Sequence, residues 1–218
     1  MFNISVTTST TLSILVQLIF GIISIHGLTI KVHDYDIVLK EIMIMETVVQ
    51  FVELCFYIYL LRIPIMDMAT IRYFDWIITT PTMLLTIIMY FEYKKQQKKI
   101  RFFDFIKENH KTIMMILLCN WCMLGFGYLG ETNQIDLMTS SILGFIFFII
   151  NFYIIYVKYA LPANEIYLYS FITIIWTMYG VAALLEPTMK NNIINVLDIF
   201  SKNILGLFIY YQISQRKI

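Results

Sequence analysis

Val196-Leu197-Asp198-Ile199-Phe200-Ser201-Lys202-Asn203-Ile204-Leu205-Gly206 lies inside an apolar run from about residue 193 to 211. A lysine at the centre of a membrane span costs about 2.5–3.5 kcal/mol on insertion scales, so Lys202 requires a reason for being there. Asp198 stands four residues earlier, one helical turn away on the same face. A buried lysine with a carboxylate at that spacing is read in two ways. It is a structural ion pair, or it is an amine used chemically to hold a carbonyl compound as a Schiff base. This stretch alone leaves the two readings level.

The surrounding composition settles the medium. The chain has 218 residues, 59% of them hydrophobic and 14% charged, with a mean hydropathy of +0.74. Soluble domains carry about 25% charged residues, so an integral membrane protein is expected. Seven segments are long enough to span, at about 9–27, 36–60, 70–91, 112–130, 138–160, 165–186 and 191–213, against a need for roughly 20 residues each. The fold class expected is all-α, one seven-helix bundle over residues 1–218, with no soluble domain and no repeat. Lys31, Lys40, Lys94, Lys95, Lys98, Lys99, Arg101, Lys107, Lys111, Lys158, Arg216 and Lys217 fall on one side of that topology, and Arg62 and Lys190 on the other. The excess marks the cytoplasmic side, which puts the N-terminus outside and the C-terminus inside. Met1 to Thr7 lacks a basic region and a cleavage signature and reads as mature sequence, and Asn3-Ile4-Ser5 reads as a coincidental glycosylation pattern. Cys55, Cys119 and Cys122 read as buried structural thiols, since no second pair or histidine completes a metal site.

A second stretch breaks the tie over Lys202. Arg72-Tyr73-Phe74-Asp75-Trp76-Ile77-Ile78-Thr79-Thr80-Pro81 resembles the third helix of the microbial (type 1) rhodopsins, R-Y-x-[DE]-W-x-x-T-x-P. The Asp198–Lys202 stretch resembles their retinal-binding pattern L-D-x-x-x-K, and the two motifs stand about 130 residues apart in the right order. The resemblance runs over essentially the whole chain, and the short length and the richness in Ile, Lys and Asn resemble the viral members. It implies all-trans retinal held covalently on Lys202 as a protonated Schiff base, with Asp75 as primary counterion and proton acceptor. Asp198 is implied as the second acid and Arg72 as the charge that offsets them. Trp76, Thr79, Thr80, Met83, Met123, Gly127, Trp176, Tyr179 and Ser201 are implied for the retinal pocket. Gly180 replaces the proline that many relatives have after the tyrosine, and Ala183 replaces a usual aromatic; both changes are expected to loosen the pocket near the ring.

Three outcomes of light absorption were open: pump, channel or sensor. At the position of the internal proton donor the chain has Thr86, which cannot donate at neutral pH. Glu186 and Lys190 stand where pumps often have paired release glutamates. The second segment points elsewhere. Glu46 and Glu53, seven apart on one face and flanked by Glu41 and Gln50, resemble the glutamate row of algal channelrhodopsins. Asn203 follows Lys202, as in their central gate, and Ser13 is the first-segment candidate for the same gate. Thr80 and Asn120 fall where channelrhodopsins pair a cysteine with an aspartate, and are expected to bond between helices. The function expected is therefore a light-gated cation channel, with weak outward proton pumping and then photosensing as the alternatives, and no enzymatic activity. The partners expected are the lipid bilayer and monovalent cations or protons. A homo-oligomer is left open, and a net charge of +1 gives no ground for nucleic acid. The location expected is a multi-pass position in a host-cell or virus-encoded membrane.

Overall fold

The computed structural model describes residues 5–96 and 99–218; Lys98 of the basic run and Asn3 of the sequon lie outside the described residues. Among the described residues the chain forms seven helices: α1 Val6–Thr29, α2 Ile37–Leu60, α3 Ile65–Gln96, α4 Phe102–Glu131, α5 Leu137–Ala163, α6 Ile166–Ala182 and α7 Pro187–Ser214. Six are long and apolar enough to cross a membrane, and α6 is a shorter apolar helix. They form a multi-pass integral membrane bundle.

Helices α3 and α4 are longer than the apolar segments that mark them. Hydropathy sees only the part in hydrocarbon, whereas Glu92, Lys94, Lys95 and Gln96 are good helix formers and carry α3 onward. Glu41, expected to widen the polar stripe of α2, instead accepts the backbone N–H of Phe102 at 2.9 Å and so caps the start of α4. Helix α5 starts on Asp136, whose side chain accepts Thr139 N–H. Helix α7 starts on Glu186, whose carboxylate takes the N–H groups of Thr188 and Met189, with Pro187 in the first turn.

The bundle is inside-out relative to a soluble one. On α1 the buried residues are Val6, Thr10, Ser13, Gln17, Ser24 and Gly27, while Leu15, Ile19, Ile22 and Ile25 are exposed. That is the arrangement hydrocarbon selects: apolar side chains face lipid, and polar ones find partners inside. Cys55 and Cys122 follow the same rule and are exposed on the bundle surface, against the expectation of buried thiols; only Cys119 is buried. Helix α3 is the most enclosed span, 72% buried over its apolar window, and it carries Arg72, Asp75, Trp76, Thr80, Met83 and Thr86 through the centre. Pro81 lies inside α3 and cannot donate to the carbonyl one turn back.

At the C-terminal end of the bundle, Arg216 pairs with Asp36 at 3.4 Å and lies over the ring of Tyr93, which itself bonds Asp36. Ile218 N–H donates to Lys31 O, tying the tail to the α1–α2 connection.

Candidate functional site

Residues 199–203 of α7 form a π-helical turn. The extra residue in the turn lets Ser201, Lys202 and Asn203, three successive positions, all be buried. Lys202 is 1% exposed, and its Nζ donates to Asp75 Oδ2 at 2.7 Å. Two further carboxylates stand at 3.7 Å from Nζ, Asp198 Oδ1 and Glu53 Oε1. Glu53 was expected on a pore face; the fold brings it to the lysine as a third acid.

Asp198 is heavily bonded. Its Oδ2 accepts from Tyr57 at 2.5 Å and from Arg72 Nη1 at 3.2 Å, and its Oδ1 accepts from Tyr179 at 2.6 Å. Tyr57 also presents its ring face to the Arg72 guanidinium, 5.1 Å from the centroid. Sequence reading missed Tyr57. The signal was present, because Tyr57 stands four residues beyond Glu53 on the same face of α2.

Beside Lys202 opens a cavity lined by Trp76, Thr80, Met83, Met123, Gly127, Trp176, Tyr179, Ser201 and Lys202 itself. Of the pocket residues expected, Thr79 is not among its lining: it is buried beside Asp75 and bonds the Asp75 carbonyl at 3.0 Å. Trp76 packs edge-on against Tyr179, and Tyr179 shares a 2.7 Å hydrogen bond with Ser201. Gly127 is required, since a Cβ there would lie 2.6 Å from Tyr73 Oη. The loosening expected from Gly180 is offset from α5, while Ala183 lines the cavity. Phe145 occupies the space over Gly180, where a Cβ would come within 2.5 Å of its ring. Asn120 Nδ2 donates to Thr80 Oγ1 at 2.8 Å, linking α4 to α3.

The expected gate is rearranged. Glu46 does not meet Asn203; its Oε1 accepts from Thr86 Oγ1 at 2.5 Å. Helix α2 runs antiparallel to α7, so Glu46 sits seven residues, roughly 10 Å, beyond Glu53 toward the C-terminal end. Ser13 is not at the gate level either, because its Oγ donates to Asn195 O at 3.1 Å, nearer the N-terminal end. Asn203 is fully buried, and neither of its amide atoms has a hydrogen-bond partner among the described residues. Glu186 serves as the α7 cap, and Lys190 pairs with Glu131 at 2.9 Å through both carboxylate oxygens. Among the described residues no group of three or more His, Cys, Asp or Glu could hold a metal.

A buried lysine facing three acids, with an aromatic-walled cavity at its amine, has counterparts among known proteins. Among solved structures the chain is similar to the viral rhodopsin OLPVRII, at 29% identity and a TM-score of 0.85 over 96% of this chain and 98% of that one. It is also similar in fold to a blue light-absorbing proteorhodopsin from Med12, at 21% identity and a TM-score of 0.75 over 96% and 97% of the two chains. Halorhodopsin, a light-driven chloride pump, shares the fold at 14% identity and a TM-score of 0.76 over 99% and 97%. No curated protein matches the chain. The bacteriorhodopsin-like protein family matches residues 7–215. The chain therefore belongs to the bacteriorhodopsin-like family, the microbial rhodopsins, whose members carry retinal covalently on a lysine.

Proposed function

We propose that this protein is a light-gated cation channel, with Lys202 as the retinal-bearing lysine and the N-terminal end of the bundle facing outside. The residues present fit retinal. Lys202 lines the cavity, Trp76 and Trp176 supply aromatic wall, and Gly127 keeps clear the volume a side chain would fill. When bound, retinal supplies light absorption and an isomerisation next to the Lys202 nitrogen. Asp75, at 2.7 Å, is the nearest negative charge to that nitrogen and the group placed to take its proton. Asp198 is held by Tyr57, Tyr179 and Arg72 and serves as a fixed charge.

One observation carries the channel reading. A row of buried polar side chains runs between α1, α2 and α7, and much of it has no hydrogen-bond partner among the described residues. Both amide atoms of Gln17 and of Asn203, Gln50 Nε2 and Glu46 Oε2 are of this kind, and Glu53, whose partner is the Lys202 amine at 3.7 Å, continues the row. Contacts fix the row's direction. Ser13 meets Asn195 near one end, and Ser24 meets Gln50 beside Gly206 further along. Gln17 is bracketed between these levels, and Asn195 to Gly206 spans roughly 16 Å along α7. Each unpartnered buried polar group costs about 1–3 kcal/mol. A file of water or ions along the row satisfies many of them at once, and carboxylates along it favour cations. The gate then lies where Glu53 and Asn203 stand beside Lys202, with Glu46 further in. The test is the photocurrent at several voltages under sodium, potassium and proton gradients. A channel current reverses with the cation gradient, and a current that keeps one direction at every voltage refutes the reading.

A second reading, outward proton pumping, is favoured by the Glu46–Thr86 hydrogen bond. Thr86 removes the acid from the usual donor position, but the bond puts the Glu46 carboxyl against that same threonine from α2. A pump would draw its returning proton from Glu46, and its current would stay outward in the same measurement.

A further inference from the structure

Arg72 is 2% exposed and has four side-chain partners. Nη1 donates to Tyr57 Oη at 3.1 Å and to Asp198 Oδ2 at 3.2 Å, and Nε donates to Asn191 Oδ1 at 3.3 Å. Nη2 donates to Asn195 Oδ1. The two asparagines are one turn apart on α7, and both are buried. Each amide is anchored at its other end. Asn195 Nδ2 donates to Ser9 Oγ at 2.8 Å and to Thr10 Oγ1 at 3.1 Å on α1. Asn191 Nδ2 donates to Pro187 O at 2.9 Å and to Ile65 O at 3.2 Å. The acceptor oxygens therefore face the guanidinium and cannot turn away without losing bonds elsewhere.

We propose that Asn195, supported by Asn191, is a positioning residue that holds Arg72 against Asp198 and so sets the pH at which Asp75 takes a proton. This rests on the reading of Asp75 as the counterion. The groups acting on Asp75 are Lys202 and Asp198 from α7, Glu53 and Tyr57 from α2, Arg72 from its own helix, and Tyr179 from α6 through Asp198. Arg72 and Lys202 are the two cations among them, facing three acids. Loss of the Asn195 oxygen leaves Nη2 without an acceptor in a buried site, a costly state for a charged donor. The guanidinium then keeps only one of its two asparagine anchors on α7, Asn191, and is free to shift so that its charge recedes from Asp75. Asp75 then protonates at higher pH. A retreat of a few ångströms at an effective dielectric constant near 20 corresponds to a rise of about one pH unit.

The experiment is a pH titration of the visible band from pH 9 to pH 3 in the retinal-loaded protein, following the red shift that marks protonation of Asp75. Asn195→Leu raises the midpoint by about one unit. Asn195→Ala, a milder change, carries the same expectation if the leucine variant does not fold. Asn191→Ala, which loses the longer bond, gives a smaller shift in the same direction. Ser9→Ala removes one of the two α1 acceptors of Asn195 Nδ2 and leaves Thr10 and the Arg72 bond in place, so it moves the midpoint less than Asn195→Ala does. An unmoved midpoint in Asn195→Leu or Asn195→Ala overturns the proposal, as does an equal shift in Ser9→Ala. A wild-type band that does not move at all overturns the counterion reading of Asp75 instead.

Discussion

Replacing Asp75 by asparagine removes one of three carboxylates from the Lys202 nitrogen, and the geometry ranks what is lost. At an effective dielectric constant of 20, a pair at the 2.7 Å of Asp75 interacts by about 6 kcal/mol, and each pair at the 3.7 Å of Asp198 and Glu53 by about 4.5 kcal/mol. Asp75 thus carries about two-fifths of the attraction, and the remainder is enough to keep a cation at the nitrogen. Asp75→Asn is expected to form pigment, with a band shifted to the red at neutral pH, because the ground state loses its nearest negative partner. Further acidification should move that band little, whereas the wild-type band moves red as Asp75 protonates. Glu53→Gln should shift the neutral-pH band by a smaller amount, in keeping with its longer distance. The assay is the absorption spectrum of each purified pigment from pH 9 to pH 3. If Asp75→Asn has the wild-type spectrum at neutral pH, or if Glu53→Gln gives the larger shift, the distance ranking fails and with it the assignment of Asp75.

Lys202→Ala should bind no retinal covalently and show no visible band, although Lys190 also lines the cavity, because the Lys190 amine is engaged by Glu131; a full-strength band in that variant would refute the attachment. Glu46→Gln keeps an acceptor for Thr86 but removes the acid, and Thr86→Val removes the α2–α3 hydrogen bond: in a channel they alter the size, kinetics or selectivity of a reversing current, and in a pump Glu46→Gln slows the recovery of the dark-state band while Thr86→Val affects it less. Arg72→Gln breaks a buried ion pair and is expected to cost about 3–5 kcal/mol, read as a lowered thermal bleaching midpoint. Asp136 lies outside the spans, and hydrogen bonding from Thr139 holds its carboxyl below the ordinary value. That cap therefore stabilises α5 fully above a pH of about 3.9 and is lost as pH falls through the lowered value. Asp136→Ala should lower the thermal midpoint at neutral pH, and the gap to wild type should close in acid.

The spans and the charge pairing of Lys202 were legible because hydrocarbon imposes a strict rule. A charge in an apolar run must have a partner: Asp198 stands one helical turn from Lys202, and Asp75 belongs to a motif on another helix. What the sequence did not disclose is rotation and depth between helices. Glu46 and Glu53 share a face of α2, so either could be brought to Lys202; only the packing of α2 against α7 decides for Glu53. Ser13 was assigned by register alone, and the contact with Asn195 places it nearer the N-terminal end. Phe145 over Gly180 was hidden for a related reason, because a glycine reports free space without saying which helix fills it. Tyr57 was overlooked although it stands on the same α2 face as Glu53, since a lone tyrosine in an apolar helix is ordinarily core.

The distribution of acids and amides along α7 bears on how ions could pass. Between Lys202 and the N-terminal end, the groups around Arg72 are Asp198, Tyr57 and the neutral amides of Asn191 and Asn195. Of the acids nearer that end, Glu131 is committed to Lys190, and Glu186 and Asp136 to helix caps. Beyond Asp198, a proton leaving Asp75 toward that end meets the Asn191 and Asn195 amides, which take up no proton at neutral pH, in place of a paired acid that could receive it. An ion or water needs only dipoles to solvate it, and the amides and hydroxyls of Asn195, Thr10 and Ser13 supply them along α1. Toward the other end, Gln50 and Glu46 continue the polar row, and the Asp36–Arg216 pair and Tyr93 stand at the C-terminal end of the bundle. A route lined mainly by neutral dipoles, with acids at Glu53 and Glu46, is better matched to passive cation flow than to the directed hand-over of single protons.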